Sequence, residues 1–258
     1  MLQRVGHWIW ESRLIRSIYR TRYPDNQRNR VMVVMNSVAL HLHPTKVSRG
    51  AVRITYTWGL GGLSLWMFLL LTFTGVLLMF YYIPSTNQAY QSMLVLQSDV
   101  TLGQFLRNLH RFAAQAMIIL VMLHMSRVFY TGAYKPPREF NWVVGVSLWF
   151  FTLLLSFTGY LLPWDQLAIW AITVGTGLAG YTPFIGKQVQ FLLLGGYQVD
   201  QPTLIRWYTL HVFFLPIALI AVMAVHFWRI RKDGNLSTPA DNLDEPEPRP
   251  VSPEVAAQ

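Results

Sequence analysis

Four histidines in otherwise apolar sequence stand at intervals that could do chemistry. The stretch RNLHRFAAQAMIILVMLHMSR (Arg107 to Arg127) carries His110 and His124, fourteen residues apart. On an α-helix that interval puts both imidazoles on nearly one face, about 21 Å apart along the axis. A second stretch, LIRWYTLHVFFLPIALIAVMAVHFWRIRK (Leu204 to Lys232), carries His211 and His226, fifteen apart. Two such helices side by side pair the histidines at two depths. Neutral imidazole is a good iron ligand, and two on opposite sides of one iron leave no open position for O₂ or a substrate. The pattern therefore anticipates two bis-histidine haems that carry electrons: His110 with His211 in an outer site, His124 with His226 in an inner one.

The elements that must position them are membrane helices. Of 258 residues, 53% are hydrophobic and 13% charged, against about 25% charged in ordinary soluble domains. Apolar runs near twenty residues recur, the length needed to cross a bilayer. The spans are expected at about 58–82, 107–130, 142–162 and 204–230. The predicted fold is an all-α membrane protein, a four-transmembrane-helix bundle around two haems. A basic region, 1–56, precedes the dihaem domain at 57–232, and a Pro- and acid-rich tail, 233–258, reads as disordered. Within the first region, Trp8, Ile9, Leu14, Ile15, Ile18 and Tyr19 have the spacing of an amphipathic helix on the membrane surface. Ser85 to Gly103 reads as an interfacial loop, and 163–203 as short interfacial helices between the third and fourth spans. Pro216, between the two histidines of the fourth span, predicts a kink. His41 and His43 lie outside any span and carry no assignment.

Charge and cysteine content narrow the classes further. The net charge is +9, but the basic residues flank the apolar spans, which fits anionic lipid rather than nucleic acid. The amino-terminal region, Arg127, the 130–141 loop and everything after His226 hold 17 of the 21 Lys and Arg. That asymmetry predicts both termini on the cytoplasmic side of a bacterial inner membrane, with His124 and His226 at the inner depth. There is no cysteine, which excludes disulfides, thiolate metal sites and thioether-linked haem.

Around the histidines, other residue types suit the same cofactor. Gly61 and Gly75 on the first span, and Gly145 and Gly159 on the third, repeat the fourteen-residue interval, leaving gaps a flat group can enter. Haem propionates need cationic partners. Arg107, Arg111 and Arg206 stand near the outer histidines, and Arg127 lies three residues after His124. Arg107 and Arg127 lead that set.

These residues carry a resemblance to the amino-terminal, four-helix half of cytochrome b, and to the b6 type most closely. It covers roughly 56–234, on GLGG…TG, RNLHRFAAQAMIILVMLHMSRVFYTGAYKPPRE, TGYLLPWDQLAIWA and RWYTLHVFFLPIALIAVMAVHF. The histidine intervals of fourteen and fifteen are similar to the b6 pattern. The resemblance implies a subunit of a quinol–cytochrome c oxidoreductase that carries electrons across the membrane and contributes to proton translocation. Implied partners are a Rieske iron–sulfur protein, a c-type cytochrome, quinone, and a separate subunit supplying the remaining helices with the Pro-Glu-Trp-Tyr motif. A homodimeric complex is implied as well. The resemblance makes the outer haem the low-potential one and the inner the high-potential one. It places an outer quinol pocket at Tyr160, Pro163, Trp164, Leu167, Trp170 and Ala171, and an inner quinone site at Arg231, Lys232 and Asp233.

One departure stands out. Where the b6 type has a cysteine holding a covalent haem, this chain has Gly59, so only two noncovalent haem b groups are expected. That departure favours a bacterial respiratory or mixed-use complex over a plant or cyanobacterial one. Two alternatives are a dihaem membrane anchor of another quinone-linked oxidoreductase and a haem-free scaffold or transporter. LLPWDQ and the matched histidine pairs fit the former poorly. The absence of acidic residues from all four spans argues against ion transport.

Overall fold

The computed structural model describes residues 26–36 and 53–233. The expected surface helix at Trp8–Tyr19, His41, His43 and the tail beyond Asp233 lie outside the described residues. A helix α1, Gln27–Asn36, and a single turn α2, Ile54–Thr57, precede the first span.

Four helices are long and apolar enough to cross a membrane: Leu60–Met79, Gly103–Tyr130, Glu139–Leu161 and the continuous Gln201–Lys232. The chain is a multi-pass, all-helical membrane protein. The first three are called α3, α5 and α6. The fourth comprises α9 (Gln201–Thr209), a π-helical turn (Leu210–Phe214) and α10 (Leu215–Lys232). Each span begins or ends within a few residues of its expected limit. The largest difference is at Gly103, where the helix begins four residues before its expected limit.

Between α3 and α5 the sequence predicts a loop, and the structure has helix α4, Ala89–Ser98. Its polar residues disguise a buried stripe of Ala89, Ser92, Met93 and Leu96, the three- and four-residue spacing of one helix face. That face drives the fold there. The expected interfacial helices between the third and fourth spans are α7 (Gln166–Gly180) and α8 (Gly186–Leu194).

The kink expected at Pro216 takes another form. Proline has no N–H to give and its ring crowds the carbonyl four residues earlier. The helix answers one turn upstream, where Leu215 N–H bonds to the Leu210 carbonyl and widens the turn. Such a turn holds one residue more than an α-turn. The fifteen-residue interval from His211 to His226 therefore spans about the same number of turns as fourteen residues of plain α-helix.

Two apolar clusters hold the bundle. One caps the outer end, joining Tyr82, Leu96, Leu161, Trp164, Leu204 and Trp207 from five segments of the chain. There the Tyr82 hydroxyl donates to the Leu162 carbonyl at 2.6 Å. Burial pushes that phenol well above its ordinary pKa, so it remains a donor. The second cluster, Phe68, Met117 and Leu219 with Leu148, Phe151 and Leu155 packed on it, lies in sequence between the two histidines, or the two histidine-facing glycines, of each span. It is an apolar layer at mid-depth.

Candidate functional site

Each of the four interval-fourteen glycines faces one histidine. A methyl placed on Gly61 would lie 3.2 Å from Cε1 of His124, and one on Gly75 would lie 3.3 Å from Cε1 of His110. On the other side, Gly159 would bring it within 2.6 Å of Cε1 of His211, and Gly145 within 3.8 Å of Cε1 of His226. Helices α3 and α5 are thus antiparallel neighbours, as are α6 and α10. The glycine and histidine intervals match because they are the two sides of one contact. At Gly61, Gly75 and Gly159 a side chain would crowd the ring, whereas Gly145 leaves ordinary van der Waals clearance.

Ring centres of His110 and His211 are 6.4 Å apart. Two imidazoles bound end-on to one ion would have centres about 6 Å apart, from metal–nitrogen bonds of about 2 Å plus the ring radii. His124 and His226 lie close enough to interact electrostatically. At the outer pair, Nδ1 of His110 is 2.8 Å from Thr74 Oγ1, and Nδ1 of His211 is 2.9 Å from Thr158 Oγ1. At the inner pair, Nδ1 of His124 and of His226 are buried without a hydrogen-bond partner. The main chain of Asn141 approaches His226, outside hydrogen-bond geometry.

The donor set fits haem and fits a bare metal ion poorly. Among the described residues no group of three or more His, Cys, Asp or Glu could hold a metal, whereas a structural ion such as zinc takes four protein ligands. A metal held by two facing imidazoles must bring its other ligands with it, as a porphyrin does. The glycines let each imidazole sit against the neighbouring helix.

Other predicted residues fall into distinct places. Arg107 is half-buried and bonds to Gln97 Oε1 at 3.2 Å, while Arg111 is exposed. Arg127 is half-buried, with its guanidinium 5.5 Å from the centre of the Tyr56 ring. Arg206 differs from expectation. Its guanidinium donates to the Pro202 carbonyl at 3.3 Å and fills the space a side chain at 195 would need. The carbonyl one turn back and a glycine beside it draw this arginine into the outer loop.

On the outer face, Tyr160, Leu167 and Trp170 are exposed, and Pro163 and Ala171 are half-buried. Trp164 departs from the pocket expected for it, being 9% exposed within the outer core. Its left-handed backbone, φ 53°, turns the chain after Pro163. Asp165 then caps α7 by accepting from Ala168 N–H at 2.8 Å. At the inner end, Asp233 pairs with Arg229 at 2.6 Å, Lys232 lies over the Trp228 ring, and Arg231 is half-buried. Gly59 has a left-handed φ of 63° with open space around it, a conformation any side chain would strain.

Sequence reasoning missed Thr74, Thr158, Tyr56 and Tyr82. For the threonines a signal exists: each directly precedes a histidine-facing glycine.

Comparisons with known proteins place the chain in a family. The chain is 41% identical over 210 residues to the menaquinol:cytochrome c reductase cytochrome b subunit of Bacillus subtilis (strain 168), covering 81% of this chain and 94% of that protein. It is 45% identical over 175 residues to cytochrome b6 of Heliobacterium modesticaldum (strain ATCC 51547 / Ice1), covering 68% and 82%. A chain of a hyperthermophilic respiratory complex III superposes with a TM-score of 0.70 at 27% identity, covering 97% of this chain and 62% of that one. This chain therefore spans less than two thirds of that solved subunit. The Cytochrome b/b6/petB family model matches residues 46–234, and the chain belongs to that family of haem proteins.

Proposed function

We propose that this chain is the dihaem cytochrome b subunit of a quinol:cytochrome c oxidoreductase. In this role it carries electrons from an outer quinol-oxidation site to an inner quinone-reduction site. The observation that carries the reading is the close approach of His110 and His211, with each of the four histidine rings backed by its own glycine. His110 and His211 would hold the outer, low-potential haem and His124 and His226 the inner, high-potential one. A haem iron bound there supplies one-electron transfer.

The chain's own residues do the rest. With His110 and His211 holding one haem and His124 and His226 the other, no iron position would remain for O₂ or a substrate. The layer of Phe68, Met117 and Leu219 excludes water between the two depths. Arg107 and Arg111 on the outer side and Arg127 on the inner are the partners for propionates. Tyr160, Leu167, Trp170 and Ala171 offer an apolar outer surface to a quinol. The basic inner end, with Arg231, Lys232 and Asp233, suits quinone and proton handling.

A Rieske iron–sulfur protein, a c-type cytochrome and a subunit carrying the remaining helices would complete the complex, in a bacterial inner membrane with both termini cytoplasmic. The relatives' own names support the cytochrome b role in a quinol:cytochrome c oxidoreductase. Measuring the haem-to-protein ratio with a redox titration tests it. Two noncovalent b-type haems per chain with two resolved midpoints are expected, and one haem or none would refute it.

A further inference from the structure

The four glycine–histidine contacts differ in one neighbour. Ahead of the outer glycines stand Thr74 and Thr158; ahead of the inner ones stand Leu60 and Val144. Both threonines are 1% exposed. Each hydroxyl lies against a carbonyl of its own helix: Thr74 donates to Leu70 at 2.8 Å, and Thr158 to Leu155 at 3.1 Å. A hydroxyl has one hydrogen to give. With that hydrogen on the main chain, the oxygen can meet Nδ1 only as an acceptor. With Nε2 given to iron, Nδ1 of His110 and of His211 would keep the ring proton, and the threonine oxygens are placed to accept it. The inner rings have no equivalent, since Nδ1 of His124 and of His226 is buried with no hydrogen-bond partner and Leu60 and Val144 offer only carbon.

We infer that Thr74 and Thr158 are positioning residues that make the outer histidines the stronger donors to iron and so set the outer haem below the inner one in potential. This rests on the dihaem reading above and supplies a cause for its order of potentials. An acceptor on one ring N–H raises the basicity of the other nitrogen, and a more basic axial ligand favours the ferric state. Both outer ligands have a threonine acceptor; of the inner ones His124 has none, and His226 has only the nearby main chain of Asn141, outside hydrogen-bond geometry. The difference biases electrons from the outer level toward the inner one.

The test is a potentiometric titration of the purified complex, with low-temperature spectra of the ferric low-spin signals as a second readout. Thr74→Val and Thr158→Val keep the shape and remove the acceptor. The outer midpoint should rise in each while the inner stays put. In the double variant the shift should reach at least the 59 mV that a tenfold change in a one-electron equilibrium represents. Thr74→Ser and Thr158→Ser should hold the parent value. Thr152, 5% exposed with its hydroxyl on the Leu148 carbonyl, gives the control: Thr152→Val should move neither midpoint.

The reciprocal change, Val144→Thr, should lower the inner midpoint. An unmoved outer midpoint in a double variant that keeps both haems overturns the inference, as does an equal shift in Thr152→Val. If the valine variants fail to assemble, Val144→Thr decides alone: a lowered inner midpoint supports the inference and an unchanged one overturns it. A parent protein without two b-type haems would overturn the dihaem reading as well, and the haem count tells that result apart.

Discussion

At Gly159 a single methyl would lie 2.6 Å from His211 Cε1, whereas at Gly145 the same methyl would sit 3.8 Å from its histidine. The two positions are equivalent by spacing and unequal by clearance. Gly159→Ala is expected to displace the outer imidazole and lose one of two haems. Gly145→Ala, at ordinary van der Waals distance, is expected to keep both. Haem content per chain separates the two variants. Replacing His124 or His226 should likewise remove the inner haem and leave the outer one; a spectrum with both intact would break the pairing. The histidines and glycines were legible in the sequence because a fixed interval on a straight helix translates directly into depth and face. Thr74 and Thr158 were not, because their meaning depends on a ring from another helix. Trp164 read as pocket lining from its place in TGYLLPWDQLAIWA, but a left-handed turn carries it into the core.

Elements that join the spans carry as much of the fold as the spans themselves. Helix α4 hid behind its polar residues until its buried stripe was placed against the outer core. Leu96 on that stripe is fully buried, so Leu96→Ala should cost about 2–5 kcal/mol. A lowered thermal midpoint of the detergent-solubilised complex would show it. The Tyr82 hydroxyl holds the Leu162 carbonyl where Pro163 ends α6. Tyr82→Phe leaves that carbonyl unpartnered, a penalty of about 1–3 kcal/mol. Because the turn it holds leads into α7, the quinol KM at the outer face should rise while the haem spectra stay unchanged. The π-turn shows why sequence could name Pro216 as a disturbance without giving its form. A missing N–H can be absorbed by a bend or by a widened turn, and the need to bring His211 opposite His110 favours the latter.

For the whole molecule, the absence of cysteine makes its orientation directly measurable. Lys135, in the exposed loop between α5 and α6, and Tyr197, 92% exposed between α8 and α9, lie on opposite faces of the bundle. With single cysteines introduced, an impermeant thiol reagent should reach Lys135→Cys only from the cytoplasmic side and Tyr197→Cys only from the other. The reverse pattern would invert the charge-based orientation.

The apolar layer of Phe68, Met117 and Leu219 has an electrical consequence. It separates two charge-carrying levels by about 21 Å within a hydrocarbon core of about 30 Å. In effect it is most of the dielectric of a capacitor. On the proposed reading, an electron moved between the plates does work against the membrane voltage of roughly 1.6 kcal/mol per 100 mV, about seven-tenths of the full transmembrane value. An energised membrane should therefore shift the resting distribution of electrons back toward the outer level by more than tenfold per 100 mV, giving the turnover of the complex a brake set by the gradient it helps to build.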